Sequence, residues 1–317
     1  MPRATMPESA AAAAAAVLIL ALAAGATAQT SADKAQPPVR PAAEMTLFQA
    51  IVLGVVEGAT EYLPVSSTGH LYLAEQLMGI GGAEKAAADA YAICIQAGAI
   101  LAVVWLYFGR LRRMAAGALG RDPEGRQLTI NVVAAFLPAA VIGLLFEKHI
   151  KQHLFGLGPI TAAWFVGGLL ILAFAWWRRR TAREGFPLEG LTWKLALVIG
   201  AAQCVAMWPG TSRSLVTILG GIAVGMSMAA AVEFSFLLGL ITLGAATGYE
   251  TLKYGHTILA TFGWGGPVIG LVVAFASAVL AVKWMVAYLN RHGLELFGYY
   301  RIALAVVVFF FVLRAGG

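Results

Sequence analysis

The sequence predicts an all-α polytopic membrane protein, with six transmembrane helices and two re-entrant helical hairpins in an inverted-topology repeat. Composition indicates the membrane class, because 60% of the 317 residues are hydrophobic and only 12% are charged, whereas soluble domains are about 25% charged. Long runs with almost no charge recur along the chain, as spanning helices of about 20 residues require. Two apolar segments that are interrupted by proline predict the hairpins.

The start of the chain differs from the rest. An alanine-rich run with VLILAL is followed by the tripeptide ATA, which is the pattern of a signal peptide with an A-x-A cleavage site. We assign residues 1–28 to this signal peptide, and an uncleaved anchor is the alternative. Residues 29–45 are rich in proline and predict a disordered linker. Residues 46–317 are then a single integral membrane domain.

Six segments are long and apolar enough to cross a bilayer. They are residues 90–108, 130–147, 160–177, 232–252, 266–289 and 298–313. Arginines cluster in the loops at 109–128 and 178–194, and the positive-inside rule predicts that these loops are cytoplasmic. The N-terminus is then outside the cytoplasm, which agrees with a signal peptide. The loops also account for the net charge of +6, so we expect no nucleic-acid partner.

Residues 46–80 and 192–228 do not fit simple spans. Each begins as an apolar stretch, breaks at Pro64 or Pro209, and continues with hydroxyl residues before a second apolar stretch. Proline ends the first helix of each segment. A broken helix at membrane depth is tolerated only where it is buried in protein or lines a wet cavity. We therefore expect both segments to be re-entrant hairpins.

The two hairpins share a pattern of a glycine, an acid or amide, a proline and hydroxyls. Dropping one residue aligns the whole pattern, pairing Gly54 with Gly200, Glu57 with Gln203, Pro64 with Pro209 and Ser67 with Ser212. Because three spans separate the copies, the second must enter from the opposite face. The expected repeat halves are residues 46–180 and 190–315. Inverted repeats of this kind frame a site near the midplane.

Two acidic residues in the first hairpin indicate a cation site. Glu57 and Glu61 are four residues apart, so on a helix they share one face with Cβ atoms about 6 Å apart. Carboxylates at membrane depth are costly, and two on one face also repel each other. A divalent cation, Mg²⁺ or Ca²⁺, relieves both costs. The alternatives are that one carboxylate accepts a proton, or that both are solvated at the membrane interface.

The remaining chemistry lies in two short motifs. SSTGH (residues 66–70) offers more hydroxyls than a helix cap needs, and either Ser67 or His70 could act as a nucleophile. PGTSRS (residues 209–214) places small residues at a helix start, where backbone N–H groups bind phosphate. Arg213 adds a fork of donors that matches phosphate oxygens. It stands alone, whereas the other arginine-rich stretches are charged loops, although an arginine that snorkels to the interface is the alternative.

Together these groups suit phosphoryl transfer on a lipid phosphate. They also carry a resemblance, because LGVVEGATEYLPVSSTGH (53–70) and WPGTSRSLVTI (208–218) are similar to the two signature regions of the undecaprenyl-diphosphate phosphatases, or bacitracin-resistance proteins. EFSFLL (233–238) and YYRIALAVV (299–307) extend the resemblance. It implies the same fold and removal of the terminal phosphate from undecaprenyl diphosphate, which yields the monophosphate carrier for peptidoglycan synthesis. It also implies the bacterial inner membrane, a site open to the periplasmic side, and dependence on Mg²⁺ or Ca²⁺.

Carried over by position, the resemblance makes Glu57 and Glu61 the acidic pair and Arg213 the phosphate binder. The expected catalytic residues are Glu61, Ser67, His70 and Arg213. The residues expected to contact the substrate are Ser66, Thr68, Gln203, Gly210, Thr211, Ser212, Ser214 and Thr217.

A transporter or flippase of the polyprenyl phosphate carrier lipid is the alternative function, because inverted repeats with re-entrant hairpins also build transporters. A transporter would not require a nucleophile beside an acidic pair, and this sequence supplies both. The expected partners are the polyprenyl diphosphate substrate and the bilayer. The sequence leaves the oligomeric state open, with a homodimer as one alternative.

Overall fold

The computed structural model describes residues 46–80, 85–181, 185–262 and 265–310. Within these ranges we number the α-helices in chain order: α1 (Leu47–Thr60), α2 (Ser67–Leu77), α3 (Lys85–Leu106), α4 (Phe108–Ala118), α5 (Pro123–Leu154), α6 (Leu157–Thr181), α7 (Trp193–Gln203), α8 (Arg213–Ala223), α9 (Met228–Phe262), α10 (Gly265–His292) and α11 (Glu295–Val308). The predicted signal peptide and linker lie outside the described residues.

Four helices are long and apolar enough to cross a membrane, and they match the second to fifth predicted spans. They are Pro123–Phe146 in α5, Leu157–Arg180 in α6, Met228–Leu252 in α9 and Gly265–His292 in α10. The first predicted span corresponds to α3, which turns by 80° into α4, and this bent pair is a fifth candidate. The sixth corresponds to α11, which has 14 helical residues. The described chain is therefore an all-helical polytopic membrane protein.

The predicted loop at 109–128 is mostly helical, because it contains α4 and the start of α5. Arginine is a good helix former, so a cluster of arginines did not require a loop. Arg113 of α4 donates to Asp122 at 2.9 Å and to Glu124. Asp122 also caps α5 by accepting from the backbone N–H of Gly125 at 2.9 Å. The Arg113 guanidinium holds the pKa of the Asp122 carboxyl below its usual range.

Both predicted hairpins are broken helices, as expected from their prolines. The first consists of α1 and α2, with Pro64 in the non-helical stretch between them. The second consists of α7 and α8, separated by a 3-10 turn at Cys204–Met207 and by Pro209. In each case the first helix ends before the proline, because proline restricts the residue before it and cannot donate a backbone hydrogen bond.

The backbone fixes how the two hairpins align. Ser66 (φ 74°) and Ser212 (φ 77°) are the two non-glycine residues with positive φ in the described ranges, and each directly precedes a helix. Ser66 follows Glu57 by the same nine residues that separate Ser212 from Gln203. The alignment therefore needs no gap, and the predicted pairing of Ser67 with Ser212 was wrong. The predicted alignment paired Pro64 with Pro209, but these two prolines occupy different positions within their breaks.

Glycines allow the first helix of each hairpin to pack tightly against a long helix of the other half. A Cβ atom added at Gly54 of α1 would lie 2.8 Å from the carbonyl oxygen of Gly270 in α10. One added at the aligned Gly200 of α7 would lie 2.2 Å from the carbonyl oxygen of Ala135 in α5. Small residues permit such close approach between membrane helices. The two hairpins are thereby held deep in the helical bundle in matching ways.

Candidate active site

Two helices begin at the same buried place. Ser67 is the first residue of α2 and Arg213 the first of α8, and the ungapped alignment makes these positions equivalent. Both side chains bind Glu61, which directly follows α1. The Ser67 hydroxyl donates a hydrogen bond to Glu61 Oε2, and Arg213 Nη2 donates to Glu61 Oε1 at 3.1 Å. Because helix N-termini favour negative charge, their meeting point is suited to an anion.

The three groups are almost completely removed from solvent. Glu61 and Ser67 are each 7% exposed, and the Arg213 side chain is 10% exposed. Charges interact more strongly in such surroundings than in water. A carboxylate that already accepts the hydroxyl of a neighbouring serine is placed to take its proton. Chemically, the three groups can therefore supply a nucleophile, a base and a cation that binds an anion.

The position of Arg213 is set mainly by α9. Arg213 Nη1 donates to the carbonyl oxygen of Ser235 at 3.0 Å, and the Ser235 hydroxyl lies 2.7 Å from that of Thr217. Gly239 leaves room for the guanidinium, since a Cβ atom there would lie 2.0 Å from Nη1. The Tyr62 ring is 5.3 Å from the guanidinium carbon. Nε of Arg213 is buried without a hydrogen-bond partner among the described residues.

Glu57 is the second buried carboxylate of the site. It is 1% exposed, and its Oε1 atom has no hydrogen-bond partner in the part of the chain that the structure describes. It lies within electrostatic reach of Glu61 and Arg213. The alternative of two solvated carboxylates at the membrane interface is wrong, because both side chains are buried. A buried carboxylate oxygen without a protein donor can be satisfied by a cation, a proton or an ordered water.

The non-helical stretch between α1 and α2 is held by side chains from four helices. Each of four consecutive carbonyl oxygens in it accepts a side-chain hydrogen bond: Leu63 from Ser214 Oγ at 2.8 Å, Pro64 from Arg301 Nη1 at 3.2 Å, Val65 from Trp164 Nε1 at 3.0 Å and Ser66 from His70 Nδ1 at 2.7 Å. Irregular backbone at membrane depth needs such partners, since lipid provides none. The break directly before the serine nucleophile candidate is therefore fully braced.

His70 is fully engaged by its neighbours. A carbonyl oxygen can only accept, so Nδ1 carries a proton for its bond to Ser66, and the neutral ring then accepts at Nε2 from the Tyr300 hydroxyl at 2.7 Å. The ring also stacks on Tyr300 with 5.7 Å between centroids. Neither ring nitrogen is directed at Glu61 or Arg213 by these contacts. The geometry favours Ser67 over His70 as the nucleophile.

Comparison with known proteins decides the family. The family model described as "Bacitracin resistance protein BacA" matches residues 50–307, which include Glu57, Glu61, Ser67 and Arg213. The chain belongs to this family.

Curated relatives match most of this BacA-family chain. A protein named undecaprenyl-diphosphatase from Sorangium cellulosum is 50% identical over 83% of this chain and 86% of its own length. Undecaprenyl-diphosphatase 2 of Rhodospirillum rubrum is 47% identical over 83% of this chain and 93% of its own length. Undecaprenyl-diphosphatase 1 of Chromobacterium violaceum is 43% identical over 83% of this chain and 95% of its own length.

Several residues predicted to contact the substrate form hydrogen bonds within the protein. Ser212 and Ser214 both donate to the carbonyl oxygen of Leu63, at 3.3 and 2.8 Å, and so join the second hairpin to the first. The carbonyl oxygen of Gly210 accepts from Arg301, and Thr217 pairs with Ser235. These residues shape the BacA-family site by fixing its backbone and Arg213.

The other residues predicted to contact the substrate make fewer side-chain hydrogen bonds among the described residues. Thr68 is exposed and Thr211 is buried. Ser66 makes no side-chain cap for α2. Gln203 is 2% exposed; it accepts from Thr242 at 3.5 Å, while its Nε2 donor has no partner within the described residues. Among this group, Gln203 therefore retains a buried donor for a ligand.

Sequence reasoning missed several residues that build the site. They are Tyr62, Trp164, Ser235, Tyr300 and Arg301. A signal existed for Arg301, which is a single arginine within the apolar run YYRIALAVV and is completely buried. The interpretation that only Arg213 stands alone outside the charged loops was therefore wrong. Ser235 and Trp164 gave no such signal, because serine and tryptophan are common in membrane helices whatever their role.

Proposed function

We propose that this chain is an integral membrane phosphatase that hydrolyses undecaprenyl diphosphate to undecaprenyl phosphate and inorganic phosphate. This reaction would recycle the carrier lipid for peptidoglycan synthesis. The observation that carries the proposal is the buried Ser67 hydroxyl, bonded to Glu61 and adjacent to Arg213, in a chain whose relatives are named undecaprenyl-diphosphatase. A carrier-lipid flippase is less well supported, because it would not need a serine bonded to a buried carboxylate.

In the proposed first step, Ser67 Oγ attacks the terminal phosphorus while Glu61 takes its proton. The Oγ–P bond forms, and the bond from that phosphorus to the bridging oxygen breaks, so the lipid monophosphate leaves with the bridging oxygen. In the second step, water attacks the phosphoserine and the proton held by Glu61 returns to Ser67. The Oγ–P bond breaks, one proton of the water stays on the inorganic phosphate, and the other is released to solvent. Arg213 neutralises charge on the phosphoryl oxygens through donors that include its unpartnered Nε.

A divalent cation, Mg²⁺ or Ca²⁺, fits the acidic pair. Glu57 contributes a buried carboxylate oxygen that has no hydrogen-bond partner among the described residues, and Glu61 supplies a second carboxylate. Mg²⁺ is usually completed by water and substrate phosphates, so two protein carboxylates suffice, and the described residues contain no larger group of metal-binding side chains. When bound, the cation would neutralise negative charge on the diphosphate. Glu57 and Glu61 would hold it.

The finer topology is also part of the proposal. Six spans and two re-entrant hairpins in inverted repeats would place the site near the midplane of the bacterial inner membrane. The site would open to the periplasmic side, with the N-terminus outside. The matched close packing of α1 on α10 and α7 on α5 supports the repeat, and the arginines of α4 and the end of α6 support the orientation.

The direct test is phosphate release from undecaprenyl diphosphate by the purified protein in detergent. Wild-type protein should release phosphate, and Arg213→Ala should lower kcat by about 10²–10³-fold, as for other preorganised donors to a developing charge. Arg213→Lys should retain part of the activity, because it keeps the charge but not the fork. A wild-type protein without phosphate release would refute the proposed function.

The cation is tested in the same assay. A chelator should abolish phosphate release, and added Mg²⁺ or Ca²⁺ should restore it. Glu57→Gln should raise the cation concentration for half-maximal rate by about 10–100-fold, a range typical of weakened metal sites. An unchanged cation dependence in Glu57→Gln would remove Glu57 from the cation site without affecting the assignment of Ser67.

A further inference from the structure

Arg301 of α11 is the most deeply buried charge outside the catalytic group. It is 0% exposed, and within the described residues its guanidinium donates only to backbone carbonyl oxygens. Within α6 these are Ala163 at 2.8 Å and Trp164 at 3.4 Å, and within the two breaks they are Pro64 at 3.2 Å and Gly210 at 2.8 Å. No acidic side chain among the described residues forms an ion pair with it. Its contacts therefore do not resemble those of a charge-neutralising residue.

The two carbonyl groups in the breaks occupy equivalent positions. Pro64 precedes Ser66 by two residues, and Gly210 precedes Ser212 by two residues, and these two serines carry the matching positive φ values. One guanidinium thus holds the same backbone position in both hairpins. Each held carbonyl lies three residues before a catalytic side chain, Ser67 in one hairpin and Arg213 in the other.

A buried arginine without a carboxylate is costly at membrane depth. An apolar side chain would fill the same space, and it would avoid the desolvation of a charge. What an apolar side chain lacks is the rigid planar fork, which can bind carbonyls from two separate segments at once. The contacts of Arg301 are therefore better explained by a role in spacing the two hairpins than by a role in filling space.

We propose that Arg301 is a positioning residue for the phosphatase reaction: it clamps the two breaks together and so sets the placement of Ser67 relative to Arg213. The inference rests on the proposed function, because it assigns a role within that reaction. Arg301 acts through the backbone and touches neither the substrate nor the reacting atoms. Misplacement of reacting groups by about 1 Å can cost about 10²-fold in rate.

The first test changes the fork and keeps the charge. Arg301→Lys should lower kcat by about 10–100-fold, while KM for undecaprenyl diphosphate stays within a factor of a few. The binding groups remain present in this variant, but their relative placement is lost. Size-exclusion profile and thermal unfolding in detergent should show a folded protein, so that rates are compared per folded molecule.

A second test displaces Arg301 without altering it, and it has a matched control on the same helix. A Cβ atom at Gly167 would lie 2.3 Å from Arg301 Nη2, whereas one at Gly168 would lie 2.6 Å from Cγ1 of Ile302 and 2.8 Å from the carbonyl oxygen of Gly298. Both substitutions crowd the contact between α6 and α11. Only Gly167→Ala pushes on the guanidinium.

Gly167→Ala should therefore reproduce the fall in kcat of Arg301→Lys, with KM little changed. Gly168→Ala should lower the thermal unfolding temperature and leave kcat per folded molecule near wild type. Equal losses of kcat in the two glycine variants, or a defect of Arg301→Lys confined to unfolding temperature, would overturn the inference while wild-type activity stands. Absence of phosphate release from the wild type would instead refute the proposed function.

Discussion

Ser67 and His70 lie three residues apart in one motif, yet their side chains have different hydrogen-bond partners. The Ser67 hydroxyl faces a buried carboxylate, whereas both nitrogens of His70 are occupied by the Ser66 carbonyl and the Tyr300 hydroxyl. From the sequence, either residue could be the nucleophile, because a motif reveals residue types but not which partner each side chain contacts. His70 acts in this geometry as a brace for the backbone before α2.

Ser67→Ala should abolish phosphate release, with a loss of about 10³-fold or more, because the nucleophile has no substitute. His70→Gln should retain activity to within about tenfold, since an amide can still donate to the Ser66 carbonyl. Acid-quenched protein should carry phosphate on Ser67 in the wild type and in His70→Gln. Phosphate found on His70, or full activity in Ser67→Ala, would contradict this assignment.

At the scale of elements, the prolines were sufficient to predict both broken helices, because proline ends a helix for steric reasons that need no tertiary context. The aligned acid and amide, Glu57 and Gln203, were also recognised. The register in which the two hairpins align was not predicted, since it depends on positive φ at Ser66 and Ser212. The helix α4 was missed because arginine clusters mark charge and not secondary structure. The single arginine at position 301 in an apolar run was a signal of burial, but its partners could not be predicted because they are backbone carbonyls distant in sequence.

The tight contact between α7 and α5 gives an element-scale prediction. Gly200→Ala places a methyl group 2.2 Å from the carbonyl oxygen of Ala135, so α7 must shift, and overpacking of this kind costs about 1–3 kcal/mol of unfolding free energy. Gly244→Ala on α9 is the control, because a Cβ atom there would meet no described atom within 4 Å. Thermal unfolding in detergent should show a lower midpoint for Gly200→Ala alone; equal midpoints would contradict the close contact.

For the whole molecule, the orientation in the membrane is the main proposal to check. Cys94 and Cys204 are free thiols and would first be replaced by alanine. Single cysteines at Arg121, between α4 and α5, and at exposed Phe155, between α5 and α6, then report the two ends of α5. We expect a membrane-impermeant thiol reagent to label position 155 in intact spheroplasts and position 121 only after permeabilisation.

Labelling of both positions from the same side would contradict the crossing of α5 and the three-span argument for inversion. Labelling of position 121 alone in intact spheroplasts would reverse the orientation and place the arginine clusters outside. The fold of the described residues would stand in either case, because it does not depend on which end of α5 is cytoplasmic.

The equivalence of Ser67 and Arg213 has a consequence for any symmetric ancestor or design built from two identical halves. A homodimer of one half would present either two hydroxyls or two guanidiniums at these matched places, and in neither case would a serine face an arginine across a shared carboxylate. In the proposed repeat the scaffold is duplicated, whereas the proposed chemistry is divided between its copies. Separately expressed halves could therefore complement each other only as a mixed pair, and neither half could be replaced by a second copy of the other.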